Sequence, residues 1–176
     1  MLEFLEDIGA LIFGDKRMDA LKHFAGLKGF QFRRKIKVKA LPLEVQRMDF
    51  YDQKKSKSVK GYIFKKDVKL NSFNQIFDYY KTNDFGNKGT TIFIYDCEGL
   101  ALPTFVIKPK GGFSKIGSIF SSGEWSHISA EFDKAFVVES NDMNYMRMAI
   151  TIQFAEVMLR LKNFSLEGHG TYLVIY

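Results

Sequence analysis

The stretch AEFDKAFVVESNDMNYMRMAI (residues 130–150) contains the change of periodicity on which the fold depends. Phe132, Phe136 and Val138 are separated by even numbers of residues, which is typical of one face of a β-strand. From Met143 to about residue 162 the apolar side chains recur at the helical period instead. The sequence therefore predicts a strand followed by one long helix over about 143–162.

The polar residues between these two patterns have a structural explanation. Ser140, Asn141 and Asp142 stand where the predicted helix begins. A helix start leaves four backbone N–H groups without intrahelical partners, and the side chains of Ser, Asn and Asp accept hydrogen bonds from them. We therefore interpret this cluster as a helix N-cap rather than an active site.

Outside this stretch, the pattern predicts two short helices, then a series of strands, and a hairpin at the end of the chain. The helices cover residues 2–13 and about 16–27, and Gly29 ends the second. KIKVKA (residues 35–40) alternates strictly between lysine and apolar or small residues, as a strand with one solvated face does. TTIFIYDCEG and LALPTFVIKP are predicted to form a hairpin around Glu98 and Gly99, and FSLEGHGTYLVIY a closing hairpin.

These elements predict an α+β fold. It consists of a mostly antiparallel sheet, two N-terminal helices and one long helix (about 143–162) packed on the sheet. We expect residues 1–14 to form a helical appendage and residues 15–176 a single α+β domain. The 18 Phe and 8 Tyr residues provide ample apolar surface for its core.

The sequence offers no catalytic, cofactor-binding or metal-binding set of residues. His23, His127 and His169 lie in three unrelated segments, and none has the spacing of a metal-binding motif. The single cysteine, Cys97, lies near the end of an apolar run, where a free thiol usually behaves as a small hydrophobic group. We expect no enzyme activity and no cofactor.

The segment from Arg33 to Lys69 is strongly basic. It holds 13 Lys and Arg residues and four Asp and Glu residues, whereas residues 89–176 hold seven and nine. Such a segment can bind the phosphates of nucleic acids or of anionic lipids, but it can equally be a solvated strand face or a lysine-protected sheet edge. The possible polyanion contacts are Arg33, Arg34, Lys35, Lys37, Lys39, Lys54, Lys55 and Lys57.

The chain resembles a bacterial family of uncharacterised α+β domains. The resemblance rests on an F-x-x-x-F-x-V-x-S-x-D segment, a long helix and a terminal hairpin, and it extends over about residues 17–176. Members have no assigned activity, so the resemblance implies no catalytic residue. The matching positions are Leu102, Pro103, Phe105, Phe132, Phe136, Val138, Ser140, Asp142, Glu167, Gly168 and Tyr172.

The compartment and the function are predicted from these observations together. No run of apolar residues is long enough to span a membrane, and the first residues carry acids rather than the positive charge of a secretory signal. We expect a cytoplasmic, non-catalytic interaction module that binds a protein partner or forms a homo-oligomer. The alternative is a polyanion binder that recognises nucleic acid or anionic lipid head groups through residues 33–69.

Overall fold

β-Strands dominate the fold. The structure is a computed structural model, and it describes residues 15–51, 57–83, 86–110, 128–161 and 163–176. The strands are β1 (Gln31–Ile36), β2 (Lys57–Asp67), β3 (Ser72–Asn83), β4 (Gly86–Cys97), β5 (Leu102–Pro109), β6 (Phe136–Ser140), β7 (Leu166–Gly170) and β8 (Tyr172–Ile175). Their hydrogen-bonded order in the sheet is β1-β2-β3-β4-β8-β7-β5-β6, and every pairing whose register is described is antiparallel.

Helices are fewer and shorter than the strands. Contacts divide the chain into two units, Met1–Phe93 and Ile94–Tyr176, so β4 contributes residues to both. The helices of the described residues are α1 (Asp15–Lys28), α2 (Ala130–Ala135), α3 (Met143–Ala149) and α4 (Ile152–Leu161).

In the first unit, α1 packs on β1 and β2. Leu21 and Ala25 are buried on its inner side, and Gly29, with φ of 70°, ends it as the sequence predicts. A bulge in β2 places Gly61 directly under the helix, where a Cβ atom would lie 2.6 Å from the Leu21 Cδ1 atom. The glycine therefore allows α1 to approach the strand closely.

A buried ion pair fixes α1 on the strands. The Arg17 guanidinium donates from Nε to Asp78 Oδ2 at 2.5 Å and from Nη2 to Asp78 Oδ1 at 2.6 Å. Arg17 Nη2 also donates to the Thr91 hydroxyl at 2.5 Å, and that hydroxyl donates to Asp78 Oδ1 at 3.0 Å. Arg17 and Asp78 are 3% and 1% exposed, so the charges are compensated by each other rather than by water.

In the second unit, helices cover one face of the sheet around β5. Phe105 and Ile107 of β5 point into a core that they share with Phe132, Met146 and Met158 from the helices. β5 pairs with β6 on one side and with β7 on the other, and β7 forms the predicted closing hairpin with β8.

The predicted long helix over 143–162 is wrong, and so is the fold description built on it. The chain leaves the helix at Ile150, whose φ of −84° and ψ of 92° are extended. Thr151 then caps α4, because its Oγ1 accepts a hydrogen bond from the Phe154 N–H at 3.2 Å. The fold is a sheet of eight strands with three helices of seven or more residues among those described. The predicted first helix and the appendage at 1–14 lie outside the described residues.

The strand before this region is also shorter than predicted. Phe132 lies in α2, not on a strand, and its ring stacks on Phe136 with centroids 5.2 Å apart. The N-cap prediction is confirmed: Asp142 Oδ1 accepts from the Tyr145 N–H at 2.9 Å, and the Ser140 hydroxyl accepts from the Asp142 N–H at 3.0 Å.

The predicted hairpin of β4 and β5 is wrong. The two strands follow each other in sequence, but β8 and β7 lie between them in the sheet. The backbone N–H of Cys97 donates to the Thr171 carbonyl oxygen at 3.0 Å, so the end of β4 is bonded to the closing hairpin instead.

Candidate interaction surface

β1 forms one edge of the sheet. It pairs with β2 alone, so one side of its backbone has no strand partner among the residues that the structure describes. Gln31, Arg33, Arg34 and Lys35 are exposed along it. An edge strand presents backbone N–H and C=O groups that can pair with another chain, and positive side chains limit which chains can approach.

The structure separates the cations that the sequence grouped together. β1 ends at Ile36, and Val38–Ala40 form a 3₁₀ turn, so the predicted strand over 35–40 is wrong in its second half. Lys37 is the N-cap of that turn, and Lys39 lies within it; both are exposed. The turn arises because Ala40 and Leu41 donate backbone hydrogen bonds to Lys37 and Val38, three residues back.

Two of the predicted contact residues lie over aromatic rings. The Arg33 guanidinium carbon lies 5.1 Å from the centroid of the Phe64 ring, and Lys57 Nζ lies 3.7 Å from that of Tyr51. Such cation–π contacts restrain the side chains and satisfy part of their charge. Lys54 and Lys55 lie outside the described residues.

Lys35 has a different environment. It is directly opposite Lys60 in the pairing of β1 with β2, and both are exposed. Like charges opposite each other on neighbouring strands repel. An acidic group bound here would therefore relieve an unfavourable interaction as well as form a new one.

A groove runs between α1 and β1. Its volume is about 380 Å³, and Met18, Asp19, Lys22, Phe32 and Arg34 line it. The lining thus combines two apolar side chains with two cations and one carboxylate. The sequence predicted Arg34 as a contact but missed the three α1 residues, because nothing in the local pattern shows which strand a helix covers.

Burial changes the acidity of the Tyr62 phenol, which lies next to Arg33. Desolvation raises the pKa of Tyr62 to about 12, and the positive charge of Arg33 opposes part of that rise. The Tyr62 hydroxyl donates to Gln75 Oε1 at 2.9 Å, so the phenol stays protonated and bonded beneath the edge strand.

No catalytic arrangement emerges from the described residues. They contain no group of three or more His, Cys, Asp or Glu side chains placed to hold a metal ion. His169 Nδ1 lies 2.8 Å from the Thr104 hydroxyl at an exposed position, and His23 lies on the exposed side of α1. Lys108 and Glu139 form an ion pair at 3.2 Å across β5 and β6. His127 lies outside the described residues.

Comparison with known proteins shows similarity at the level of the fold. No protein-family model matches the chain, and no curated protein matches it. The crystal structure of the mycobacterial trehalose monomycolate transport factor A, TtfA, superposes with a TM-score of 0.57. The alignment covers 90% of this chain and 79% of that one, at 12% sequence identity. At this identity the similarity shows a shared fold, and the resemblance to a bacterial family of uncharacterised domains stays a prediction.

Within residues 15–51, 57–83, 86–110, 128–161 and 163–176, no helix is both long enough and apolar enough to cross a membrane.

Proposed function

We propose that this chain is a non-catalytic interaction module, acting in the cytoplasm, that binds an extended segment of a partner protein along β1. The observation that carries the proposal is the edge of β1, which has no second strand partner among the described residues, beside the groove between α1 and β1. An extended segment added to a sheet edge gains affinity from main-chain hydrogen bonds, and it gains specificity from pockets that receive alternate side chains.

The groove determines which side chains the segment would carry. Met18 and Phe32 offer apolar contacts, while Lys22 and Arg34 offer cationic ones. A segment that alternates acidic and apolar residues fits this lining. Because the side chains of a strand alternate between its two faces, the apolar ones would lie against the groove beside Phe32, while the acidic ones would lie on the opposite face, near Lys35 and Lys60.

Charge favours a partner of different sequence over a second copy of this chain. If two β1 strands paired antiparallel across a two-fold axis, Arg33, Arg34 and Lys35 of one copy would face the same cations of the other. Like charges directly opposite each other on paired strands are destabilising. Self-association through β1 is therefore the less favoured form of the module.

A synthetic peptide tests the proposal. The probe is a fluorescein-labelled, terminally blocked peptide that alternates glutamate and valine, and its binding is followed by fluorescence anisotropy at physiological salt. The test variant is Arg33→Glu/Lys35→Glu, and the matched control is Lys66→Glu/Lys69→Glu, which reverses two exposed lysines elsewhere in the same unit. We expect the test variant to weaken binding by roughly tenfold or more and the control to change it little.

A second probe separates strand addition from simple charge attraction. An N-methylated form of the peptide keeps every carboxylate but cannot donate its backbone hydrogen bonds. We expect it to lose binding, because the ladder hydrogen bonds carry the affinity. Equal binding of the two peptides, or equal loss with both charge-reversal variants, would contradict the proposal.

The polyanion alternative has its own supporting observation. Lys37 and Lys39 extend the basic edge past the end of β1, and both are exposed. If this surface binds phosphates, the affinity for labelled oligonucleotides must fall steeply with salt, with a slope of roughly −0.7 to −0.9 per phosphate neutralised. Neutralising the five cations of residues 33–39 would then abolish submicromolar binding. Weak binding of about 10⁻⁴–10⁻⁶ M at physiological salt is the non-specific level of any basic surface, and it would count against this alternative.

A further inference from the structure

The turn between β2 and β3 presents two apolar side chains to solvent. Val68 is 82% exposed and Leu70 is 60% exposed, and Val68 is the most exposed large apolar side chain that the structure describes. Both lie in the four residues that connect Asp67, the last residue of β2, to Ser72, the first of β3. Neither contributes to the core, so core packing does not account for apolar residues at this position.

Hydrogen bonds to Asp67 hold the backbone of this turn. Asp67 Oδ1 accepts hydrogen bonds from the backbone N–H groups of Lys69 at 3.0 Å and of Leu70 at 3.1 Å. Asn71 adopts a φ of 44°, which asparagine tolerates better than most residues do. The apolar pair is thus displayed on a backbone that loses little further freedom on binding.

Two lysines accompany the apolar pair. Lys66 and Lys69 are exposed beside it. Lys65 is directed to the other side, since its Nζ donates to the Lys28 carbonyl oxygen at 3.1 Å. Lysine stems are long enough to lie along a bilayer surface while the ammonium groups reach lipid phosphates.

We propose that the β2–β3 turn, residues 67–71, is a membrane-surface contact that inserts Val68 and Leu70 between the head groups of an anionic bilayer. Two aliphatic side chains on a convex turn are far too small for a specific protein interface, which buries about 800 Å² on each partner. A bilayer has no such requirement, because lipids close around an inserted tip. Apolar insertion and attraction of lysines to anionic head groups add to each other in such contacts.

Vesicle sedimentation of the full chain tests this inference. The vesicles are phosphatidylcholine with about one-third phosphatidylglycerol, compared with phosphatidylcholine alone. The decisive variant is Val68→Ser/Leu70→Ser, which changes no charge, and the matched control is Leu43→Ser, an apolar residue of the same unit that is 67% exposed. We expect the decisive variant to bind anionic vesicles about tenfold more weakly and the control to bind as the parent does.

Variants that remove charge test the contribution of the lysines. They also distinguish vesicle binding by the turn from peptide binding along β1. Lys66→Gln/Lys69→Gln should weaken vesicle binding by roughly 20-fold or more, because each lysine near an anionic surface contributes about fivefold. A Val68→Trp variant should shift its fluorescence to shorter wavelength on vesicles, beyond any shift of the parent. The inference is overturned if no anionic vesicles are bound, if Val68→Ser/Leu70→Ser binds like the parent, or if Leu43→Ser weakens binding equally. Failure of the peptide to bind β1 would leave each of these outcomes unaffected.

Discussion

The buried ion pair of Arg17 and Asp78 should make a large and non-additive contribution to stability. Asp78→Ala removes both hydrogen bonds between the guanidinium and the carboxylate, in a site where the arginine is 3% exposed. Removing one partner of a buried pair typically costs about 3–5 kcal/mol, since the other charge stays desolvated and uncompensated. Arg17→Met should cost a similar amount, because it leaves the Asp78 carboxylate buried.

Replacing the whole network should remove most of that cost. In Arg17→Met/Asp78→Leu/Thr91→Val no buried charge or hydroxyl of the network remains, and apolar groups occupy the site. Such replacements are often neutral or stabilising by about 1–4 kcal/mol. We therefore expect the triple variant to be several kcal/mol more stable than either single variant, although it carries more substitutions.

Chemical denaturation followed by circular dichroism measures these differences. The midpoint and the slope of unfolding in urea are compared for the parent, both single variants and the triple variant. A single variant that loses less than about 1 kcal/mol would show that water reaches the pair and screens it. A triple variant as unstable as the singles would show that the shape of the network, rather than charge compensation, positions α1.

Two further predictions concern stability: its dependence on pH through Tyr62, and its response to alanine at two glycine positions. Because burial raises the pKa of Tyr62 to about 12, the unfolded chain loses this proton before the folded one. Stability should therefore fall as pH rises from about 10 to about 12, by roughly 1–2 kcal/mol. Tyr62→Phe should lack this part of the loss, and the absorbance of the phenolate should show the high pKa directly. Gly168→Ala should destabilise the second unit by about 1–3 kcal/mol or more, since the new Cβ would lie 2.1 Å from Phe105 Cε1. Gly26→Ala, whose added Cβ would meet no atom within 4 Å outside the neighbouring backbone of α1, should instead stabilise α1 by about 0.5–1 kcal/mol. Equal thermal unfolding temperatures for the two alanine variants would contradict this reasoning.

The elements that the sequence predicted well are those that local interactions specify. α1 lies where the helical period and Gly29 place it, and the cap at Asp142 forms with the Tyr145 N–H as expected. Each depends on residues within one or two turns of one another. The closing hairpin is local as well, and its register, with His169 opposite Tyr172, places Gly170 at the tight turn.

The prediction of one long helix was wrong because one continuous helix and two consecutive helices can show the same apolar periodicity. Met146 and Met158 would lie on one stripe of a continuous helix, and both are buried in the same core on separate helices. The apolar pattern records which side chains are buried, but the break at Ile150 depends on how α3 and α4 pack against the second unit's sheet. The error at Phe132 has the same cause. Its side chain is buried, but it belongs to α2 rather than to the predicted strand.

By itself, the sequence determined the alternation of the strands, the helix boundaries set by caps and glycines, and the basic character of residues 33–69. Only the tertiary structure decided that β8 and β7 separate β4 from β5, that β1 is an edge, and that Val68 and Leu70 lie together at an exposed turn. Periodicity and capping arise from interactions between residues close in the chain, so a single sequence displays them. Strand order and the exposure of an edge arise from pairing between residues far apart in the chain, whose partners no local pattern specifies.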